Sequence, residues 1–126
     1  MCKKCCENET EDIIHEFVAC KWSKMVILLI GKDLDLVNTF KKITHTDLIF
    51  GVSDETINCI LLLIKYVIHT CRQDDKPLYI NFFRNELYKH IISDKRSLKP
   101  WLFAQKWGKF QCLVDKSQQF FDSLCV

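Results

Sequence analysis

Apolar residues recur at intervals of three and four through most of the 126-residue chain, which is the period of an α-helix. The clearest such stretch follows Ser53, which we expect to be the helix N-cap. Apolar side chains occupy most of its surface, so we predict a central helix that is buried on several sides. Its apolar positions are Ile57, Ile60, Leu61, Ile64, Val67, Ile68 and Cys71.

Weaker forms of the same pattern predict further helices on either side of this one. The first has a change of pattern at 20–23 and is expected to stop at Gly31. A later helix is expected to begin at Pro77, because proline suits the first helical position. The final residues, 115–126, are expected to form a frayed or short helical tail. The other predicted helices cover 10–30, 34–43 and 101–114.

The composition supports this helical interpretation. Only three glycines and two prolines are present, whereas an all-β domain needs many turns. We therefore predict a mainly α fold, a small helical bundle with an N-terminal zinc knuckle. The knuckle is assigned to residues 1–24 and leads into the first helix. Residues 25–126 are assigned to a helical domain that packs with the knuckle as one unit.

The sequence shows neither a secretory signal nor an apolar run long enough to span a membrane, and this decides the cellular compartment that we expect. Met1 is followed directly by cysteines and lysines, with no apolar segment of the kind found in secretory signals. The longest apolar runs fall well short of the roughly 20 residues that cross a bilayer. We therefore expect an intracellular protein, cytoplasmic or nuclear, with no membrane partner. The cysteines are accordingly expected to be reduced.

Four residues near the start have the spacing C-x2-C-x9-H-x4-C, which is typical of metal ligands: Cys2, Cys5, His15 and Cys20. Two thiolates on a tight turn, an imidazole and a third thiolate can surround one zinc ion tetrahedrally. Such a site leaves no position for water, so we expect a structural Zn²⁺. Cys6 is an alternative ligand, because it forms a C-x3-C pair with Cys2. The competing interpretation is an N-terminal segment whose cysteines hold no metal.

Residues 2–22 resemble the zinc-binding knuckle at the C-terminal end of LINE-type (non-long-terminal-repeat) retrotransposon reverse transcriptases. That motif has a cysteine pair, an acidic stretch ending in Glu-Thr, a histidine closely followed by an aromatic residue, then a cysteine and another aromatic residue. The last aromatic residue here comes sooner after the cysteine than is usual in the family. The matching residues are Cys2, Cys5, Glu9, Thr10, His15, Phe17, Cys20 and Trp22.

The resemblance continues downstream, to about residue 96. Residues 47–72 and 76–91 are similar to the helical tail of those polyproteins, with an apolar helix containing Lys-Tyr, a Lys-Pro turn and an aromatic-rich helix. In that family the polymerase core and the apurinic-type endonuclease lie upstream of the knuckle and have no counterpart here. The resemblance therefore implies a non-catalytic chain that partners the missing upstream polymerase region and has no small-molecule substrate.

The family resemblance also implies contact with RNA or DNA, through cations for phosphates and aromatic rings for unpaired bases. Near the knuckle the candidates are Lys3, Lys4, Lys21, Trp22 and Lys24. A second stretch, 84–109, has seven basic and two acidic residues, a local charge of +5 in a chain whose net charge is +2. Trp101 and Trp107 lie within it. Its basic residues are Arg84, Lys89, Lys95, Arg96, Lys99, Lys106 and Lys109.

Each of these assignments has a plainer alternative. Lysines on helices usually only solvate the surface, and tryptophan in a small domain usually belongs to the core. In that case the chain is a helical protein-interaction module whose zinc site is only structural. Binding to nucleic acid that weakens steeply with salt would favour the first interpretation. Exposed apolar surface with self-association would favour the second.

Overall fold

A computed structural model describes residues 16–17, 20–74 and 76–124. These residues are mainly helical, as predicted, and contain no strand. The chain divides into two compact units, Met1–Ile80 and Asn81–Val126. The predicted boundary after residue 24 stays a prediction, since most of the knuckle lies outside the described residues. None of the helices in the described ranges has the length and apolar character needed to cross a membrane.

The first unit contains four described helices. They are α1 (Lys21–Asp33), α2 (Val37–Lys41), α3 (His45–Phe50) and α4 (Glu55–Gln73). The predicted central helix corresponds to α4, and all seven of its expected apolar core residues are buried. Its N-cap is Asp54 instead of Ser53, because the Asp54 carboxylate accepts a hydrogen bond from the Ile57 backbone N–H at 3.0 Å.

The prediction that Gly31 stops the first helix is wrong. Helix α1 continues through Gly31 to Asp33, and Gly31 is buried. A Cβ atom at this position would lie 2.8 Å from Cδ2 of Phe40. Glycine is therefore required here for the close approach of the Phe40 ring, and this contact joins α1 to the segment that contains α2.

Residues 44–52, where no helix was expected, contain α3. Thr44 begins it with a capping box, in which the Thr44 hydroxyl accepts from the Asp47 backbone N–H and the Asp47 carboxylate accepts from the Thr44 N–H. Gly51 ends it with φ +96°, a conformation that L side chains rarely adopt. Asn58 of α4 accepts a hydrogen bond from the Val52 N–H at 3.0 Å and fixes this turn.

The second unit is formed by α5 (Ile80–Ser97), α6 (Pro100–Trp107), a 3-10 turn (Gly108–Phe110) and α7 (Gln111–Leu124). The predicted start at Pro77 is wrong, because α5 begins three residues later. The expected last helix is divided by the 3-10 turn. The expected frayed tail is instead helical through Leu124, and Leu113, Val114 and Ser117 are buried on α7.

Candidate zinc and nucleic-acid sites

Most of the predicted zinc ligands lie outside the described residues: Cys2, Cys5, the alternative Cys6, and His15. The exception is Cys20, which has extended backbone and immediately precedes α1. Its side chain is completely buried. Within residues 16–17, 20–74 and 76–124, no three His, Cys, Asp or Glu residues are grouped as metal ligands. The zinc assignment therefore stays a prediction.

Cys20 has a charged neighbour from a distant part of the sequence. Nη1 of Arg72, near the end of α4, donates to the Cys20 sulfur at 3.5 Å. The Arg72 side chain is itself only 7% exposed. A buried guanidinium beside a sulfur offsets the negative charge of a thiolate and holds its orientation, which is what donors around zinc-bound thiolates do. The surroundings of Cys20 thus fit a thiolate ligand.

The segment just before Cys20 is held against the same end of α4. The Glu16 carboxylate lies 2.9 Å from Nδ1 of His69 and 3.9 Å from Nε of Arg72. The Ser23 hydroxyl of α1 donates to the Glu16 backbone carbonyl. These contacts hold Glu16, which directly follows the predicted ligand His15 in the sequence, against α4 and α1.

The described members of the first group of predicted nucleic-acid contacts lie at the start of α1. Lys21 and Lys24 are exposed on its first turns, and Trp22 is partly exposed. Cations at a helix N-terminus oppose the helix dipole, so their placement does not help α1 to form. They do place positive charge beside backbone N–H groups, where an anion is favoured. Lys3 and Lys4 lie outside the described residues.

The second group of cations lies on α5 and the turn that follows it. Lys89 is exposed and 3.7 Å from the Glu86 carboxylate. The guanidinium of Arg96 lies 4.4 Å from the centre of the Phe121 ring on α7. These are contacts at the surface, so both charges remain accessible. Arg84 donates to Asn81 at 3.2 Å, Lys95 donates to Gln118 at 3.1 Å, and Lys99 is exposed at the N-cap of α6.

The two tryptophans of this stretch have opposite environments. Trp101 is 64% exposed, whereas Trp107 is completely buried. The Trp107 indole N–H donates to the Asp94 carboxylate at 2.9 Å, and Lys106 reaches the same oxygen atom at 2.8 Å. Trp107 and Lys106 thus connect α6 to α5 within the second unit. Trp101 is the tryptophan that could stack on a base.

The environment of Asp94 gives the second unit a dependence on pH. Burial alone raises the pKa of Asp94, but hydrogen bonds from Lys106 and Trp107 and the positive charges of Lys106 and His90 outweigh it, so the pKa lies below its ordinary value. The resulting stabilisation is present above the unfolded-state pKa of about 3.9 and is lost as the pH falls through the folded-state pKa. Asp94→Asn should therefore flatten the acid side of the stability profile.

Urea unfolding between pH 6 and pH 2 would measure this difference for the parent and for Asp94→Asn. Asp115→Asn is a matched control, because that carboxylate is exposed and accepts only a surface hydrogen bond from Gln111 among the contacts described. The same acid-side slope in the parent and in Asp94→Asn would contradict the predicted role of Asp94.

Sequence reasoning did not identify three residues that the structure places at these sites. Arg72 contacts Cys20 across 52 positions, and no local pattern indicates such a pair. Phe120 and Phe121 were assigned to the frayed tail. Their signal is the helical repeat of apolar residues along α7, which continues from Leu113 to Leu124.

Comparisons of the chain with protein-family models, with curated proteins and with solved structures found no match.

Proposed function

We propose that this chain is the non-catalytic, zinc-binding and nucleic-acid-binding C-terminal segment of a LINE-type retrotransposon reverse transcriptase polyprotein. The observation that carries the proposal is the contact between Cys20 and Arg72. Cys20 is the last predicted ligand of the knuckle-like motif, and Arg72 ends the apolar segment that resembles the family's helical tail. Two pieces of the resemblance that are far apart in sequence are therefore in contact in the fold.

In this proposal the zinc ion has a structural role. Cys2, Cys5, His15 and Cys20 would hold it, with Cys6 as the alternative to Cys5. Bound zinc would connect the start of the chain to the segment that Glu16 anchors on α4. Four protein ligands leave no site for a reacting water molecule. The chain would contribute binding to the polyprotein and no chemical step.

Nucleic acid would be bound by the cations around α1 and on α5. The described members of this set are exposed or partly exposed, as phosphate contacts require, and Trp101, two residues after Lys99 in the sequence, offers an accessible ring. The expected ligand is unpaired RNA or DNA, because exposed rings can stack on a base only where it is free of its partner. The missing upstream polymerase region would be the other partner.

The charge reversal Lys3→Glu/Lys4→Glu tests this function. We expect it to weaken binding to a fluorescent single-stranded oligonucleotide without loss of helix content. The slope of log affinity against log salt concentration should become shallower by roughly 1.4, about 0.7 for each lost phosphate contact. Fluorescence anisotropy at several salt concentrations measures both quantities, and circular dichroism follows the helices.

The chain contains a matched control for this experiment. Lys41 and Lys42 are another pair of adjacent lysines, and both are exposed at the end of α2. The double variant Lys41→Glu/Lys42→Glu makes the same change in net charge away from the knuckle. Equal weakening by the two variants would show that only net charge matters, and no binding by the zinc-loaded parent would contradict the proposed function itself.

A second candidate function, the protein-interaction module, is favoured by one feature of the first unit. Three large apolar side chains of α1 are 43–49% exposed: Met25, Leu28 and Leu29. On α4, Leu62 and Tyr66 are 55% and 51% exposed, one helical turn apart. Exposed apolar surface of this kind is typical of interfaces. Self-association of the parent that Leu28→Ser abolishes, with no oligonucleotide binding, would support this candidate.

A further inference from the structure

A groove of about 440 Å³ lies in the second unit, between the C-terminal halves of α5 and α7. We call it the α5–α7 groove. Its α5 side presents Lys89, Ser93 and Arg96, which are one helical turn apart and therefore share a face. Its α7 side presents Phe120 and Phe121. A volume of this size lies within the range of small-molecule sites.

The charge around the groove favours an anionic ligand. Lys89 and Arg96 both line it, and none of its described lining residues is acidic. The Glu86 carboxylate lies 3.7 Å from Lys89, but Lys89 is 63% exposed and the pair is correspondingly weak. A phosphate could therefore take the place of Glu86 at the Lys89 ammonium group at little cost.

The aromatic residues of the groove favour a flat ligand. The Phe120 ring lies 5.6 Å from Tyr88 at an angle of 46°, and the Phe121 ring is covered by the Arg96 guanidinium at 4.4 Å. Stacking on phenylalanine and on an arginine plane is how proteins hold unpaired bases. Both side chains are already positioned by neighbours in the fold, so little ordering is needed on binding.

We propose that the α5–α7 groove binds one unpaired nucleotide of a single-stranded nucleic acid. The base stacks on the accessible face of the Arg96 guanidinium, whose other face covers the Phe121 ring, and the flanking phosphates are bound by Lys89 and the edge of Arg96. This inference rests on the proposed nucleic-acid-binding function and assigns it a position on the second unit. It includes two residues, Phe120 and Phe121, that the charge pattern alone did not indicate.

The probe for the test is a fluorescein-labelled 12-nucleotide oligo(U), with oligo(dT) of the same length as a second arm and a mixed-sequence duplex as a third. We expect Phe121→Leu to raise the Kd for the single strands about tenfold through lost stacking. Arg96→Lys should preserve the salt dependence while still weakening binding, because it keeps the charge and loses the planar group. Duplex binding should be unaffected by Phe121→Leu.

Phe121→Leu and a further variant, Lys89→Gln, which should also raise the Kd for the single strands, each have a matched control. Phe50→Leu removes another aromatic ring, one that is 84% exposed in the first unit. Lys116→Gln, compared with Lys89→Gln, removes an exposed cation of α7 that does not line the groove. Both controls should leave the Kd within twofold of the parent value, and circular dichroism should show unchanged helix content in all variants.

A measurement on the parent protein keeps the proposal testable if a variant unfolds. Oligomers with one 4-thiouridine should crosslink on irradiation to peptides of α5 and α7, with mass spectrometry locating the site. Crosslinks confined to the first unit, or single-strand affinities unchanged by Phe121→Leu, would overturn the groove while leaving the proposed function intact. A groove that binds an acidic helical peptide but no single-stranded oligomer would belong to a protein partner. That outcome would overturn the proposed nucleotide site as well.

Discussion

Cys20→Ser is expected to abolish stoichiometric zinc binding and to loosen the start of α1. Serine is a poor zinc ligand, and three remaining ligands would leave an open, weak site. Zinc in such small sites contributes on the order of 10 kcal/mol of apparent folding free energy, so the loss should be large. Native mass spectrometry with and without a chelator measures the metal content. Hydrogen exchange of the α1 amides measures the structural effect.

Cys112→Ser is the appropriate control for this change. Cys112 is an exposed cysteine of α7 outside the knuckle motif, and its replacement should leave one zinc ion per chain. Cys2→Ser and His15→Ala should behave as Cys20→Ser does. Comparing Cys5→Ser with Cys6→Ser decides which of the two is the ligand. Equal zinc content in Cys20→Ser and the parent would refute the ligand assignment.

Trp107→Ala is expected to unfold the second unit or bring it close to unfolding. A completely buried tryptophan replaced by alanine costs about 3–5 kcal/mol, and the change also removes the indole donor to Asp94. A unit as small as residues 81–126 has a total stability of only a few kcal/mol. Urea unfolding followed by circular dichroism would measure the loss.

The neighbouring tryptophan provides the comparison. Trp101→Ala removes a ring that is 64% exposed, so its effect on stability should stay within about 0.5 kcal/mol. If Trp101 stacks on bases, the same variant should weaken oligonucleotide binding several-fold. The stability of Trp107→Phe should fall between those of the two alanine variants. Phenylalanine keeps most of the apolar volume of Trp107 but lacks the N–H donor to Asp94. Similar destabilisation by both alanine variants would contradict the assigned environments.

The helices that the sequence predicts best are those with the strongest apolar periodicity. Helix α4 was located with all its buried apolar residues, because burial of that face outweighs local preferences. The prediction that it is buried on several sides is wrong, since Leu62 and Tyr66 are more than half exposed. The residues expected to mark the start or end of a helix were less reliable. Proline fits a first helical turn but does not require one, and Pro77 lies in a non-helical segment between α4 and α5. Gly31 was expected to end α1, but its lack of a Cβ serves packing against Phe40.

The candidate sites depend on contacts between residues that are far apart in the chain, and this limits prediction. The candidate cations could be identified from the clustering of basic residues along the sequence. The sequence does not indicate which tryptophan is accessible. The difference in exposure between Trp101 and Trp107 depends on which side of α6 faces Asp94. The Arg96–Phe121 pair likewise exists only once α7 lies beside α5.

The hydrogen bond between Arg72 and Cys20 also bears on the order in which the first unit folds. The two residues are 52 positions apart, and closing a loop of that length costs roughly 3.5 kcal/mol of chain entropy. We therefore expect the local turns of α4 to form before this contact does. A synthetic peptide that ends before α4 contains all four predicted ligands but lacks the guanidinium, so its metal affinity would underestimate that of the whole chain.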